Sequence, residues 1–234
     1  MFRPDDRHMK EHPMALPAQN LEYSLLQKDE HTEEEYFTWE DFSPERWEWV
    51  PEGIRNDEGR RLGVIRAMSG GTVDHGGTQA NIIRALGNAL RASGRRRCRV
   101  FTSDVKVHCP NGRNTYPDAS VVCGPPQLYG GRNDIVLNPT LLVEVLSPST
   151  EGDDRGAKWQ SYQRIPTLQH YLLVSPDGPR VEVYSRENSG WHFAASEGLD
   201  AEIPLPALGV TLPLSEIYYE EEVPVEDADS AALE

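Results

Sequence analysis

"LLVEVLSPST", residues 141–150, sets five aliphatic side chains around a single carboxylate, Glu144. Pro139 and Pro148 bound an apolar run of strand length, the pattern of a strand buried on both faces at the centre of an α/β sheet. Such a strand predicts a buried Glu144. Taking an ionised carboxylate out of water without compensation costs several kcal/mol, so the run implies that a metal ion, a cationic side chain or a proton accompanies it.

Working outward, "YPDASVVCG" (116–124) reads as a strand entered behind Pro117, and "DDRGAKWQSYQRIP" (153–166) as a helix stopped by Pro166, with Thr150 or Asp153 as its cap. "HYLLVSPD", "RVEVYSR" and "WHFAAS" form an antiparallel meander with turns at Asp177-Gly178 and Ser189-Gly190. Upstream, Thr32 with Glu35 forms a capping box for a short helix opening near residue 33, and "ERWEWV" (45–50) and "LGVIRAM" (62–68) read as strands joined by a long polar turn. Ile82, Leu86 and Leu90 mark a long helix over 78–92, preceded by "SGGTVDHGG", and "CRVFT" and "DVKVHC" are short strands. Interleaved strands and two principal helices give an α/β class with a mixed sheet. Neither GxGxxG nor GxxxxGK[ST] occurs between a strand and a helix, which argues against a doubly wound nucleotide-binding fold.

The net charge of −15 is unevenly spread. Residues 1–45 carry 12 acids and 4 bases, and residues 216–234 carry 8 acids and no base, which leaves 18 acids against 19 bases between them. Within that middle, residues 91–113 hold seven bases, among them Arg95, Arg96, Arg97 and Arg99, against Asp104 alone. This is a patch able to face phosphate, or simply a solvated face. Residues 1–29 read as a polar arm and residues 216–234 as an acidic disordered tail, flanking one folded domain over 30–215. No run reaches the roughly 18 apolar residues of a membrane span, and the start lacks signal-peptide character, so a cytoplasmic protein is expected. Cys98, Cys109 and Cys123, odd in number and without a CxxC pair, are expected to be reduced thiols.

Four residues fall where a phosphate-cleaving metal site would want them: Glu48 on an early strand, Asp118 at the start of a later one, Glu144 in the buried one and Lys158 on the helix after it. Mg²⁺ takes one or two carboxylates plus water and phosphate oxygens, and a lysine ammonium nearby can activate water or offset charge growing on phosphorus. Tyr162 lies at i+4 from Lys158, on the same helix face.

Together, "RWEWV", "AMSGGTVDH" before a helix, "YPDASVVCG", "LLVEVLSPST", "DRGAK" with a tyrosine four residues after its lysine, and "YLLVSPDGPRVEVY" resemble the Uma-two family of restriction-endonuclease-like proteins, within the PD-(D/E)XK superfamily. The resemblance spans about residues 30–215 and implies a restriction-endonuclease-like mixed β-sheet flanked by helices, with a Mg²⁺ or Mn²⁺ site that hydrolyses DNA. It implies Asp118, Glu144 and Glu48 as metal-holding acids. The superfamily's lysine two residues after the second acid is absent, since Leu146 stands there, and in the Uma-two pattern its place passes to Lys158. The insertion "PEGIRNDEGRRLG" after Glu48 departs from the family pattern.

Plainer readings compete for each residue. Glu144 and Lys158 could form a structural ion pair, Asp118 a strand-entry turn, Lys158 a surface pair with Asp154, and His75 either a turn residue or a phosphate contact. Two functions follow: a metal-dependent DNA endonuclease, expected to act as a homodimer because cutting both strands takes two sites, or a catalytically silent nuclease fold that binds nucleic acid or, through its acidic ends, a protein partner.

Overall fold

A computed structural model describes residues 28–218 other than Ser69 and Ser189. The expected N-terminal arm, except its last two residues, and the acidic tail beyond Tyr218 lie outside the described residues. Chain contacts divide the protein into two units, Met1–Met68 and Ser69–Glu234.

In the first unit, β1 (His31–Thr32) leads into α1 (Glu33–Glu40), opened by the expected capping box. The Glu35 N–H donates to Thr32 Oγ1 at 3.2 Å, and the Thr32 N–H donates to the Glu35 carboxylate at 2.8 Å. β2 (Trp47–Arg55) and β3 (Arg61–Ala67) form an antiparallel hairpin, with β1 on the far side of β3. The strands run further into the polar segment than expected. Asn56 Oδ1 accepts from the N–H groups of Glu58 and Arg60, so the side chain itself closes a short turn. Gly63 has no alternative: a Cβ there would stand 2.5 Å from the Val50 carbonyl and 2.7 Å from the Trp49 ring.

The second unit opens with α2 (Val73–Ala92), capped by Thr72, whose hydroxyl accepts from the His75 N–H. The helix starts five residues earlier than expected, opened by this cap in spite of Gly76 and Gly77, which cost roughly 1 kcal/mol each. His75 therefore sits in its first turn. There follow β4 (Cys98–Thr102), β5 (Lys106–His108), β6 (Asn114–Thr115), β7 (Ala119–Cys123), β8 (Ile135–Val136) and β9 (Leu141–Val145). Next come α3 (Glu151–Arg155) and α4 (Ala157–Tyr162), then β10 (His170–Val174), β11 (Arg180–Glu187) and β12 (Gly190–Glu197). The chain ends in a hairpin of β13 (Glu202–Leu205) and β14 (Val210–Pro213), followed by α5 (Leu214–Ile217).

The main sheet runs β12-β11-β10-β9-β7-β4. Only β9 and β10 are parallel, joined over the sheet by α3 and α4, and the expected meander occupies the β10-β11-β12 side. All five residues of β9 are buried. Alternation splits its neighbours by face: Leu141, Val143 and Val145 pack with Ile82 and Leu86 of α2, whereas Leu142 and Leu146 pack with Tyr162, Tyr171 and Leu173. Glu144 belongs to the second face.

Three expectations are corrected. The helix over 153–166 is two short helices broken at Gly156, whose backbone (φ −109°, ψ −105°) leaves the helical region. Cys98 and Cys123 stand directly opposite on antiparallel β4 and β7 and form a disulfide, a pairing that 25 residues of separation conceal; Cys109 is a buried thiol outside that bond. Order also extends past residue 215, since the Tyr218 hydroxyl donates to the carbonyls of Ser175 and Arg180.

Candidate active site

Antiparallel β7 and β9 pair Ala119 with Val143, and carrying that register one residue on sets Asp118 against Glu144. Asp118 Oδ2 accepts the Val145 N–H at 2.7 Å, so the strand backbone fixes the carboxylate at this end of the sheet. Its Oδ1 lies 3.1 Å from His75 Nε2, and Gln79 donates to its carbonyl at 2.8 Å. The first turns of α2 thus grip Asp118 from the side. The hydrogen bond that His75 donates to Asp118 raises the His75 pKa, against the opposing effect of its partial burial.

Glu144 is 3% exposed. Its Oε1 accepts the Tyr162 hydroxyl at 2.7 Å, and its Oε2 lies 3.2 Å from Lys158 Nζ. Lys158 in turn contacts Asp154 Oδ1 at 2.8 Å, and that carboxylate is 1% exposed. Loss of hydration holds the Glu144 carboxyl well above its usual range; the Lys158 charge opposes this, and Asp154 and Asp118 add repulsion. Burial likewise raises Asp154. Two buried carboxylates thus flank one lysine, with Asp118 near enough to add repulsion.

The geometry that gathers them is the crossover. Gly156 redirects the chain so that Asp154, in α3, and Lys158 and Tyr162, in α4, all meet the β9 face bearing Glu144. A Cβ on Gly156 would stand 2.8 Å from the Gly152 carbonyl, which explains the glycine at that joint.

Residues 34–215 match a family model, Uma2, described as "Putative restriction endonuclease". The chain belongs to the Uma2 family. It is 33% identical over 190 residues to "Uncharacterized protein slr1290" of Synechocystis, a match covering 79% of this chain and 90% of that protein. A second Synechocystis relative, "Uncharacterized protein sll1609", is 32% identical over 143 residues, 60% of this chain and 79% of the relative. Among solved structures, a "putative nuclease belonging to DUF820" from Anabaena variabilis superposes with a TM-score of 0.59 at 19% identity, covering 80% of this chain and 97% of that one. The mixed α/β fold is thereby shared with that protein.

In this Uma2 protein four of the residues singled out from the sequence, Asp118, Glu144, Lys158 and Tyr162, assemble in the second unit with His75. Tyr162 is fully buried, and its hydroxyl faces Glu144. Glu48 lies in the first unit on β2, 8% exposed, on the face of that strand opposite Trp49. Arg95, Arg96 and Arg97 are exposed in the turn before β4, and Arg99 is exposed on it, stacked over Phe101 at 4.9 Å. Cys98 pairs with Cys123 while Thr102 pairs with Ala119, so the arginine turn lies at the end of β7 away from Asp118, about 17 Å along the strand.

Asp154 is the member that sequence reasoning missed. Its spacing to Lys158 suggested a surface i,i+4 pair, yet both groups are buried. The signal was its place in the segment that follows a buried strand, where the crossover must cover Glu144. Among the described residues no three His, Cys, Asp or Glu side chains stand together as a ready-made metal cage.

Proposed function

We propose that this Uma2 protein is a divalent-metal-dependent DNA endonuclease, with Asp118 and Glu144 holding Mg²⁺ or Mn²⁺. The observation that carries the reading is the crowding of carboxylates: buried Glu144 and Asp154 share the Lys158 ammonium, Asp118 stands near them against His75, and burial, with repulsion from the other two acids, holds Glu144 above its usual range. A divalent cation relieves that repulsion. The donor set suits it, because Mg²⁺ needs only one or two protein carboxylates and completes its octahedron with water and phosphate oxygens. The metal's contribution when bound is Lewis acidity toward the phosphoryl oxygens and a more acidic water.

The chain's own residues supply the rest. The Val145 N–H and His75 hold Asp118 in a fixed orientation, and the Tyr162 hydroxyl does the same for Glu144. Asp154 holds the Lys158 ammonium beside Glu144, where it stabilises charge developing on phosphorus. The fold shared with a protein titled "putative nuclease" and the family's description, "Putative restriction endonuclease", support this assignment.

The test is nicking of supercoiled plasmid with Mg²⁺ or Mn²⁺, comparing wild type with Glu144→Ala and Lys158→Ala whose folding is verified by circular dichroism. Loss in both is expected; activity surviving both sinks the mechanism. A second reading is favoured by one feature, that both Glu144 oxygens are engaged by Tyr162 and Lys158: a silent nuclease fold that binds nucleic acid or a protein partner. No heat of Mn²⁺ binding in calorimetry, with DNA still bound, would select it.

A further inference from the structure

The main sheet continues past Glu144 on the same face. Glu144 pairs with Leu173 on β10, and Leu173 pairs with Glu182 on β11, so the three side chains form a row across parallel and antiparallel neighbours. At the Glu182 end of that row opens a cleft of about 240 Å³, at the carboxyl ends of parallel β9 and β10, where open α/β sheets bind ligands. Its wall starts at Leu146, two residues after Glu144.

The lining has two parts. Leu146, Pro148 and Leu173 supply apolar surface, and Arg155, Arg180 and Glu182 supply a linked set of donors and acceptors. Arg155 is paired with Glu182, and Arg180 approaches the same carboxylate at 3.1 Å while remaining 48% exposed. The hydrogen bond from Arg155, with help from Arg180, holds Glu182 below its usual range, so the acceptor is ionised.

These features select a class of ligand. With Glu151, Asp177 and Glu182 against Arg155 and Arg180, three acids face two bases, which disfavours phosphate. A neutral heterocycle with both donors and acceptors on its edge and flat apolar faces meets both parts of the lining. The volume lies below the roughly 300–1,000 Å³ of drug-sized sites, so it admits one base and no base pair. We infer that the cleft takes a single unpaired nucleobase of the DNA strand, flanking the phosphate bound at Asp118 and Glu144. Two strand spacings, about 10 Å, separate the Glu144 and Glu182 rows, a neighbouring nucleotide's reach. The base must be extruded from a duplex or come from a single strand, and that unstacking makes bubbles, mismatches and single strands the favoured substrates.

This inference rests on the endonuclease reading, and its test separates the two. Short single-stranded oligonucleotides, each abasic at one successive position, are compared with the intact strand for cleavage with Mn²⁺ and for equilibrium binding without metal by fluorescence anisotropy. A base site predicts one position near the cut where base loss weakens kcat/KM and Kd about tenfold, the weight of a hydrogen bond to a charged group. In Arg180→Ala that positional penalty shrinks, because the intact strand has already lost the contact. A flat scan in wild type, in cleavage or in binding, overturns the cleft assignment. If wild type cleaves nothing, the endonuclease reading fails, while the anisotropy scan still decides for or against the cleft.

Discussion

At the scale of single residues, the group formed by Glu144, Lys158 and Asp154 has an asymmetric energetics. Removing one member of a buried ion pair strands the others without hydration, at about 3–5 kcal/mol. Lys158→Ala is expected to lower stability by that amount in urea unfolding at pH 7. Neutralising all three in shape-preserving form, as Glu144→Gln, Asp154→Asn and Lys158→Met, should recover most of it while leaving plasmid nicking abolished. If the triple variant still nicks DNA, the group is structural. A second prediction concerns His170, buried on β10, where its Nδ1 lies 3.0 Å from Ser185 Oγ and its Nε2 accepts the Ala207 N–H. Burial pushes its pKa down from 6.5 to about 4. Between these values the unfolded chain binds a proton that the native state refuses, so stability rises with pH across this window and is lost as pH falls through it. At pH 5 the loss attributable to His170 is about 2 kcal/mol. Urea midpoints at pH 5 and 7.5 should therefore converge in His170→Gln; an unchanged pH slope refutes the assignment.

At the scale of elements, the break at Gly156 decides where Lys158 and Tyr162 point. Gly156→Ala brings a Cβ against the Gly152 carbonyl, and overpacking of this kind costs about 1–3 kcal/mol. Because relief requires α4 to shift, nicking should fall by more than the fraction unfolded accounts for, which activity measured far below the melting temperature reveals. The sequence suggested one continuous helix here, since a single glycine inside a helical pattern is tolerated; only the packing of both pieces against β9 rewards the kink. The disulfide between β4 and β7 makes a different demand. Closing a loop of 25 residues is worth about 3 kcal/mol in the chain-entropy account, so reduction with a dithiol should lower stability by that order, and Cys98→Ser should remove the response. The pair escaped sequence reasoning because register, which no spacing rule supplies, places the two residues opposite each other.

At the scale of the whole molecule, charge is segregated along the chain. Residues 219–234 contain seven acids and no base, while the arginine turn before β4 is exposed. A chain ending at residue 218 should therefore bind DNA several-fold more tightly at low salt than the full chain, with the difference vanishing as ionic strength rises. Anisotropy titrations at two salt concentrations check this; equal affinity at low salt means the acidic end does not screen the patch.

The sequence by itself determined the α/β class, the central position of residues 141–145, the meander after them and the family. These follow from periodicity, turn chemistry and motif order, which are local properties of the chain. It also named Asp118, Glu144, Lys158 and Tyr162, because a charge inside an apolar strand demands an explanation wherever the strand lies. Tertiary structure alone decided that Asp154 is buried with Lys158, that His75 reaches Asp118 from a helix beginning at Val73, that Cys98 meets Cys123, and that the arginine turn stands at the far end of β7. Each of these depends on strand register or on which face a helix covers, and those are fixed by burying the whole core at once rather than by any segment's own preference.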